Sequence, residues 1–347
     1  MGPLTYLHGC NYPWSTDRQT VFYGLDFGAN VWGSHLGVST RREAIAGDLA
    51  AIAALGFTVV RWFVFGDGRA GIVYDDRDLP AGLDAHFYVD LDAALECARA
   101  AGVRIDLVLL DHRWMFSGLA HALADPVTGL TYEAELPEGR AGVLLAAAGR
   151  DALFDHIVRP MVRRYGPSGA RADLGPAVFA YEFMNEPDFV VEEWERDLSS
   201  QVRRPLRFDQ LAALVSRLSE VVHAEHPTAL TTIGAARLHN LWAWDDEALG
   251  LDLLQVHSYP DASGPGAGAD VLGTPAAALG VGRPVVIGEC PAERIGEYLE
   301  FAVDAGYLGA WPWSFSGTDA QGRLPEEPLR AFAARHPDLV NPRARHA

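Results

Sequence analysis

Eight times along the chain a short apolar run rich in β-branched residues gives way to a longer segment, and most of those segments carry helical periodicity. The expected strands are residues 4–9, 58–65, 103–110, 177–183, 229–233, 251–256, 284–288 and 308–315. Helical patterns cover 40–55, 89–101, 151–164, 208–226, 294–305 and 327–335, with weaker ones at 241–249 and 271–279. Thr40 and Glu43 stand in capping-box spacing at the first, and Gly102 closes the second. Strict alternation of strand and helix calls for parallel strands joined by crossovers. Eight units exceed the usual five or six of a doubly wound open sheet, so the sequence predicts an α/β fold: a single (β/α)8 TIM barrel spanning residues 1–347 as one domain. No repeat or linker divides it, since "GPGAGA" at 264–269 is a loop too short to separate domains.

The long aperiodic stretches, 11–38, 66–85, 111–149 and 188–207, all follow strands and are expected to rim the carboxyl-end mouth, where barrels carry their chemistry. Composition restricts what that mouth can hold. With 28 basic against 46 acidic side chains the net charge is −18, which disfavours nucleic acid, anionic membranes and polyanionic substrates and favours a neutral partner. Every basic residue is Arg, so Schiff-base aldolases, pyridoxal-phosphate enzymes and Walker-A nucleotidases lack their amine. Cys10, Cys97 and Cys290 are odd in number and far apart, which reads as three buried thiols. No His-Glu-x-x-His occurs, and neither Asp111-His112 nor Asp75-Asp76 has the pattern of a zinc or calcium set, so no metal and no cofactor is expected. The opening "MGPLTYLHGCNYPW" has no basic or apolar signal region, and no run approaches the roughly 18 apolar residues of a membrane span. A soluble protein is expected, cytoplasmic or secreted with its leader absent from this chain.

Two strand ends carry carboxylates. In "FAYEFMNEPDF", residues 179–189, an apolar strand ends in Asn185-Glu186-Pro187, and a Glu half-desolvated at a barrel mouth stays protonated near neutral pH. In "RPVVIGEC", residues 283–290, another apolar strand ends in Gly288-Glu289. Three strands apart, the two glutamates can face one another across the mouth. A separation of about 5 to 5.5 Å suits a retaining glycosidase and about 6.5 to 9.5 Å an inverting one.

These residues resemble the (β/α)8 glycoside hydrolase superfamily, clan A, with its acid on strand four and its nucleophile on strand seven, and most closely family 5, the cellulases and mannanases. The resemblance spans nearly the whole barrel. It implies that Glu186 is the general acid/base, Glu289 the nucleophile, and Asn185 the holder of the sugar 2-hydroxyl. Arg61 in "VVRWFVF" resembles the strand-two arginine beside the nucleophile, His112 in "LLDHRW" the strand-three histidine that contacts hydroxyls, and His257 and Tyr259 in "QVHSYP" the strand-six pair, with Tyr259 donating to Glu289. Trp311 and Trp313 in "AWPWSF" resemble the strand-eight aromatic platform.

Each residue also has a structural reading. Arg61 in a core strand needs a counter-charge, His112 can pair with Asp111, and His257 can be a satisfied core histidine. Trp311 and Trp313 share a strand face, and Trp313 is nearer the mouth while the other is expected in the core. Tyr12, Trp14, Trp32, Trp114 and Trp194 are further candidate platforms, and His35, Asp67 and Arg69 are placed near the site by loop position alone. "FYGLDFGANVWGSHLG" and "WFVFGDGRAG" match no family motif. The implied activity is retaining hydrolysis of a β-linked neutral glycan, glucan, mannan or a derived oligosaccharide. Transglycosylation with the same residues and a non-catalytic carbohydrate-binding barrel are the alternatives.

Overall fold

Strands buried on both faces read as unbroken apolar runs because no side of them meets water. The computed structural model describes residues 4–15, 25–30, 35–116, 119–124, 131–136, 140–260, 271–315 and 324–341, and it places eight such strands in one parallel sheet in chain order. We number them β1 (Gly9–Asn11), β2 (Val59–Phe63), β3 (Arg104–Asp111), β4 (Val178–Asn185), β5 (Leu230–Ala235), β6 (Leu254–His257), β7 (Val285–Pro291) and β8 (Ala310–Trp313). The sheet closes on itself: Leu7 N donates to Leu308 O at 2.5 Å, and Phe315 N to Asn11 O at 2.9 Å. Asn11 Nδ2 reinforces the seam by reaching Gly288 O at 2.9 Å. The result is the expected (β/α)8 barrel.

Helices Arg42–Ala54, Phe87–Ala101, Phe208–Glu225, Ile295–Ala305 and Glu326–Arg335 pack outside it. In Phe208–Glu225 the stripe Leu211, Leu214, Val215, Leu218, Val221 and Val222 is buried, each fully buried aliphatic contributing about 1.5–3 kcal/mol. The helix over 147–165 contains a wide π turn, Phe154–Val158, just before Pro160, whose missing N–H breaks the ladder there. Gly102 ends its helix at φ 74°, in the left-handed cap conformation.

Three expectations are corrected. The weak patterns at 241–249 and 271–279 form only 3-10 turns, Leu238–Trp244, Glu247–Leu249 and Ala276–Leu279, because Gly250, Pro275 and Gly280 confine each run to less than a stable helix. The Thr40 capping box does not form: a 3-10 turn, Val38–Arg41, precedes the helix, and Thr40 Oγ1 donates to Gly37 O at 2.8 Å. The first strand lies at Gly9–Asn11 rather than 4–9, continuing to the polar residue that braces the seam. The loop at 264–269 lies outside the described residues.

The interior of the barrel is layered. At the amino-terminal ends of the strands Leu7, Val59, Phe179, Ala180, Leu230, Leu253, Val286 and Trp311 form an apolar floor. At the carboxyl ends Trp14, Phe63, Val108 and Trp313 cluster under Tyr259. Cys10, Cys97 and Cys290 are free and buried. Among the described residues no helix is long and apolar enough to cross a membrane.

Candidate active site

β4 delivers Glu186. The strand runs through Asn185, and Glu186 then turns left-handed at φ 50°, ψ 51°, with Pro187 behind it restricting its backbone. Its N–H donates to Gly234 O at 2.7 Å, which ties the turn to β5. β7 delivers Glu289, buried at the end of an apolar strand. Oxygens of Glu186 and Glu289 lie within 4.8 Å of each other.

Arg61 on β2 organises the space between them. It is fully buried, and all five of its N–H donors are used: Nε and Nη2 clasp Glu182 at 2.7 Å each, Nη1 reaches Asn11 Oδ1 at 3.0 Å and Glu289 Oε1 at 2.7 Å, and Nη2 also reaches Asn185 Oδ1 at 2.7 Å. Tyr259 donates to the other oxygen of that carboxylate, Glu289 Oε2, at 2.8 Å, the bond expected from the sequence. His257 Nδ1 hydrogen-bonds Glu186 Oε1 at 3.0 Å and stands 3.5 Å from Glu289 Oε1. Asn185 Nδ2 donates to Asp111 Oδ2 at 2.8 Å, so its amide is oriented from both ends. His112 Nδ1 is 3.5 Å from Asp111 Oδ2 and 3.8 Å from Glu186 Oε2, with the ring between Phe116 and Phe189.

Burial raises the pKa of both Glu186 and Glu289 above the ordinary carboxyl value. His257, Arg61 and the Tyr259 hydroxyl pull Glu289 back toward ionisation against the neighbouring Glu186, while His112, Arg237 and Arg61 pull Glu186 back against the Asp111 carboxylate. Glu289 has a guanidinium and a phenol as direct donors and Glu186 has neither, an asymmetry that favours charge on Glu289 over charge on Glu186. Burial lowers His257 to about 4, leaving a neutral imidazole at neutral pH.

Trp313 is 8% exposed at the mouth, edge-on to Trp14 and Phe63. Trp311, which the resemblance places with Trp313 on an aromatic platform, is instead fully buried in the apolar floor, with Nε1 donating to Leu7 O at 3.0 Å. Its greater distance from the strand end points to the core. Tyr12 and Trp114 are core, Tyr12 donating to Asp48 at 2.6 Å, and Trp194 packs on Phe208 and Trp244. Trp32 lies outside the described residues. His35 bonds Asp90 at 2.8 Å and stacks on His86, and Asp67 pairs with Arg69, so these three brace loops.

Sequence reasoning missed Asn11, Asp106, Glu182 and Gln255. Asp106 and Glu182 had a usable signal, the one that drew attention to Arg61: a charge inside an apolar strand must find a partner. Gly234 makes the room, since a Cβ there would lie 2.5 Å from Glu182 Oε1 and 2.9 Å from Arg61 Nη2.

Among the described residues Glu186, His257 and Glu289 also form a trio whose ligand atoms could reach one ion. Both Glu289 oxygens already accept hydrogen bonds, one from a guanidinium that would oppose a cation, so the donor set fits a hydrogen-bonded carboxylate pair better.

No family model matches the sequence, and no curated protein matches it. The fold is matched by solved structures. A β-mannanase from the blue mussel Mytilus edulis superposes with TM-score 0.71 at 18% identity over 94% of this chain and 90% of that one. An endo-1,4-β-mannanase from Eisenia fetida gives 0.72 at 19% over 95% and 91%. An exo-β-1,4-mannosidase from an Opitutaceae bacterium gives 0.59 at 17% over 98% and 60%. At such identities the likeness shows a shared (β/α)8 barrel fold.

Proposed function

We propose that this chain is a retaining β-glycoside hydrolase, one catalytic domain that cleaves a β-linked neutral glycan. The observation that carries the reading is the pair of glutamates at the ends of β4 and β7, with oxygens within 4.8 Å and only one of the two held by Arg61 and Tyr259. That spacing supports the short gap of a double displacement, which leaves no room for a water between carboxylates. Glu289 attacks the anomeric carbon while Glu186 gives its proton to the departing glycosidic oxygen. Glu186, now ionised, takes a proton from the incoming water, whose oxygen bonds to the anomeric carbon as the ester to Glu289 breaks.

Asn185 is set to hold the 2-hydroxyl, a bond that strengthens as the oxocarbenium-like transition state forms. His112 and His257 present imidazoles to hydroxyls, and Trp313 offers an aromatic edge at the mouth. The excess of acidic side chains supports an uncharged substrate. The mannanase and mannosidase titles of the matched structures put β-1,4-linked mannan and its oligosaccharides first among the neutral glycans to try.

The test is product release from β-mannan, β-glucans, xylan and aryl β-glycosides, with ¹H NMR of the first-formed anomer. Release with retention, reduced by about 10⁴-fold or more in Glu289→Gln, is the expected outcome. Turnover undiminished in that variant, or an inverted product, would sink the reading. Product analysis separates hydrolysis from transfer to a second sugar.

A further inference from the structure

Beneath the two glutamates lies a second set of charges for which catalysis has no direct use. Glu182, on β4 four residues before Glu186, is fully buried and takes two of the five Arg61 donors. Gln255 on β6 is also fully buried, and its Nε2 donates both to Glu182 Oε2 at 3.0 Å and to Asp106 Oδ2 at 2.9 Å. Asp106 on β3 is the register partner of Arg61 on β2 and is fully buried too. Four strands thus contribute one connected polar layer. Glycine stands where a larger residue would close it: a Cβ on Gly288 would lie 2.4 Å from Gln255 Oε1, and one on Gly234 would strike Glu182.

We infer that Glu182, Gln255 and Asp106 form a clamp of positioning residues that aims Arg61 at Glu289 and fixes how much of its positive charge the nucleophile feels. The inference rests on the hydrolase reading for its function and on the hydrogen-bond geometry for its existence.

Arg61 faces three carboxylates, Glu182, Glu289 and Asp106, of which only Glu289 keeps a trace of exposed surface, and three negative charges against one positive would carry a large desolvation cost. Burial and the neighbouring Glu182 charge raise Asp106 well above the ordinary carboxyl value, which favours its neutral form. Glu182 is clasped along one edge of the guanidinium, by Nε and Nη2. Arg61 is therefore partly neutralised before Glu289 meets it. A bare guanidinium 2.7 Å from the nucleophile would hold it as a poorer attacking group, and an absent one would leave it protonated. The clamp sets the balance between these limits. The ledger also stays constant through the proposed reaction: Glu289 gives up its charge to the ester as Glu186 takes one on.

The groups facing Glu289 are Arg61 from β2, Glu186 from β4, and His257 and Tyr259 from the β6 end. Those facing Glu186 include His112, Asp111 and Arg237 as well. Of these, Glu182 acts on Arg61 directly and on His257 through its charge, and Asp106 acts on Arg61. Removing the Glu182 charge therefore leaves more of Arg61 for Glu289 and lowers the pKa of the nucleophile.

The experiment is a ¹³C NMR titration of glutamate-labelled full-length protein, with the Glu289 carboxyl signal identified by its loss in Glu289→Gln. In Glu182→Gln that titration moves to lower pH by at least about half a unit. In Glu182→Asp, which keeps the charge on a shorter arm, and in Asp106→Asn, which copies a neutral acid, it stays within about 0.2 unit of wild type. On a cleavable glycan, kcat in Glu182→Gln drops at least about tenfold with KM within about threefold.

An unmoved Glu289 titration in a folded Glu182→Gln overturns the clamp. So does a downward shift in Asp106→Asn, which would mean that Asp106 carries charge; this second variant decides the matter if Glu182→Gln does not fold. The expected shifts in a protein that cleaves no glycan would leave the clamp standing and remove the hydrolase reading. Cleavage with no shifts would do the reverse.

Discussion

Trp311 and Trp313 stand two residues apart on β8 and face the same way, yet they belong to different regions of the barrel. Trp311 lies in a floor of Leu, Val, Phe and Ala side chains and spends its one donor on Leu7 O. Trp313 sits about 7 Å further along, one strand repeat, against Trp14, Phe63 and Tyr259 at the mouth. Between these heights runs the Arg61 layer. Arg61 and Trp311 are equally inaccessible to solvent, so burial does not distinguish the regions. What distinguishes them is how each is held. The floor is held by dispersion and apolar burial, which tolerate small shifts, whereas the layer is held by charge-assisted hydrogen bonds in which all five Arg61 donors are used, and these tolerate almost none.

The largest expected effect comes from breaking the layer. Arg61→Met leaves Glu182 buried without its bidentate partner, and removing one member of such a pair costs about 3–5 kcal/mol, on top of the loss of activity. Urea unfolding at pH 7 measures it. A variant as stable as the parent would mean that the layer contributes as little as an exposed ion pair. Next come the two tryptophans. Trp311→Ala should cost about 3–5 kcal/mol and leave KM for any cleaved glycan unchanged. Trp313→Ala, bordering the open mouth, should cost about half as much and raise KM several-fold. Equal KM changes in the two would erase the distinction between floor and mouth.

The sequence exposes the barrel better than its interior. Eight apolar runs and the turn residues between them give the strand order, and strand ends such as Asn185-Glu186 and Gly288-Glu289 stand out because polar residues interrupt an apolar pattern. Height within the barrel is another matter. Strand periodicity gives the face a side chain points to, and only the shear and closure of the sheet give its depth, so Trp313 is told from Trp311 by its nearness to the strand end alone. Glu182 and Asp106 were legible in principle, since each is a charge within an apolar strand, but their partners come from strands far apart in the chain. Gln255 carries no such signal, because an uncharged amide in a strand is unremarkable until the carboxylates on either side of it are located.

The smallest effect concerns two histidines, one at each end. Burial lowers His8, stacked on Phe57 beside the floor, to about 3, and lowers His257, at the mouth, to about 4. A histidine whose folded pKa is depressed binds fewer protons than it does in the unfolded chain, so its contribution to stability is intact above the unfolded value near 6.5. It is lost as pH falls from there toward the folded value. At pH 5.5 each should already have cost about 1 kcal/mol relative to pH 7.5. Urea unfolding at the two pH values should therefore show a steeper loss in wild type than in His8→Phe or His257→Asn, each of which removes its share. The ends should differ in one respect. His257 borders the mouth and the nearby Glu289 and Glu182 favour its protonated form, so its ring signal should titrate near pH 4 in the folded protein. His8 has no such acids against it and should stay neutral until the barrel unfolds. A His8 signal that titrates in the folded state would show the floor to be wetter than its apolar lining implies.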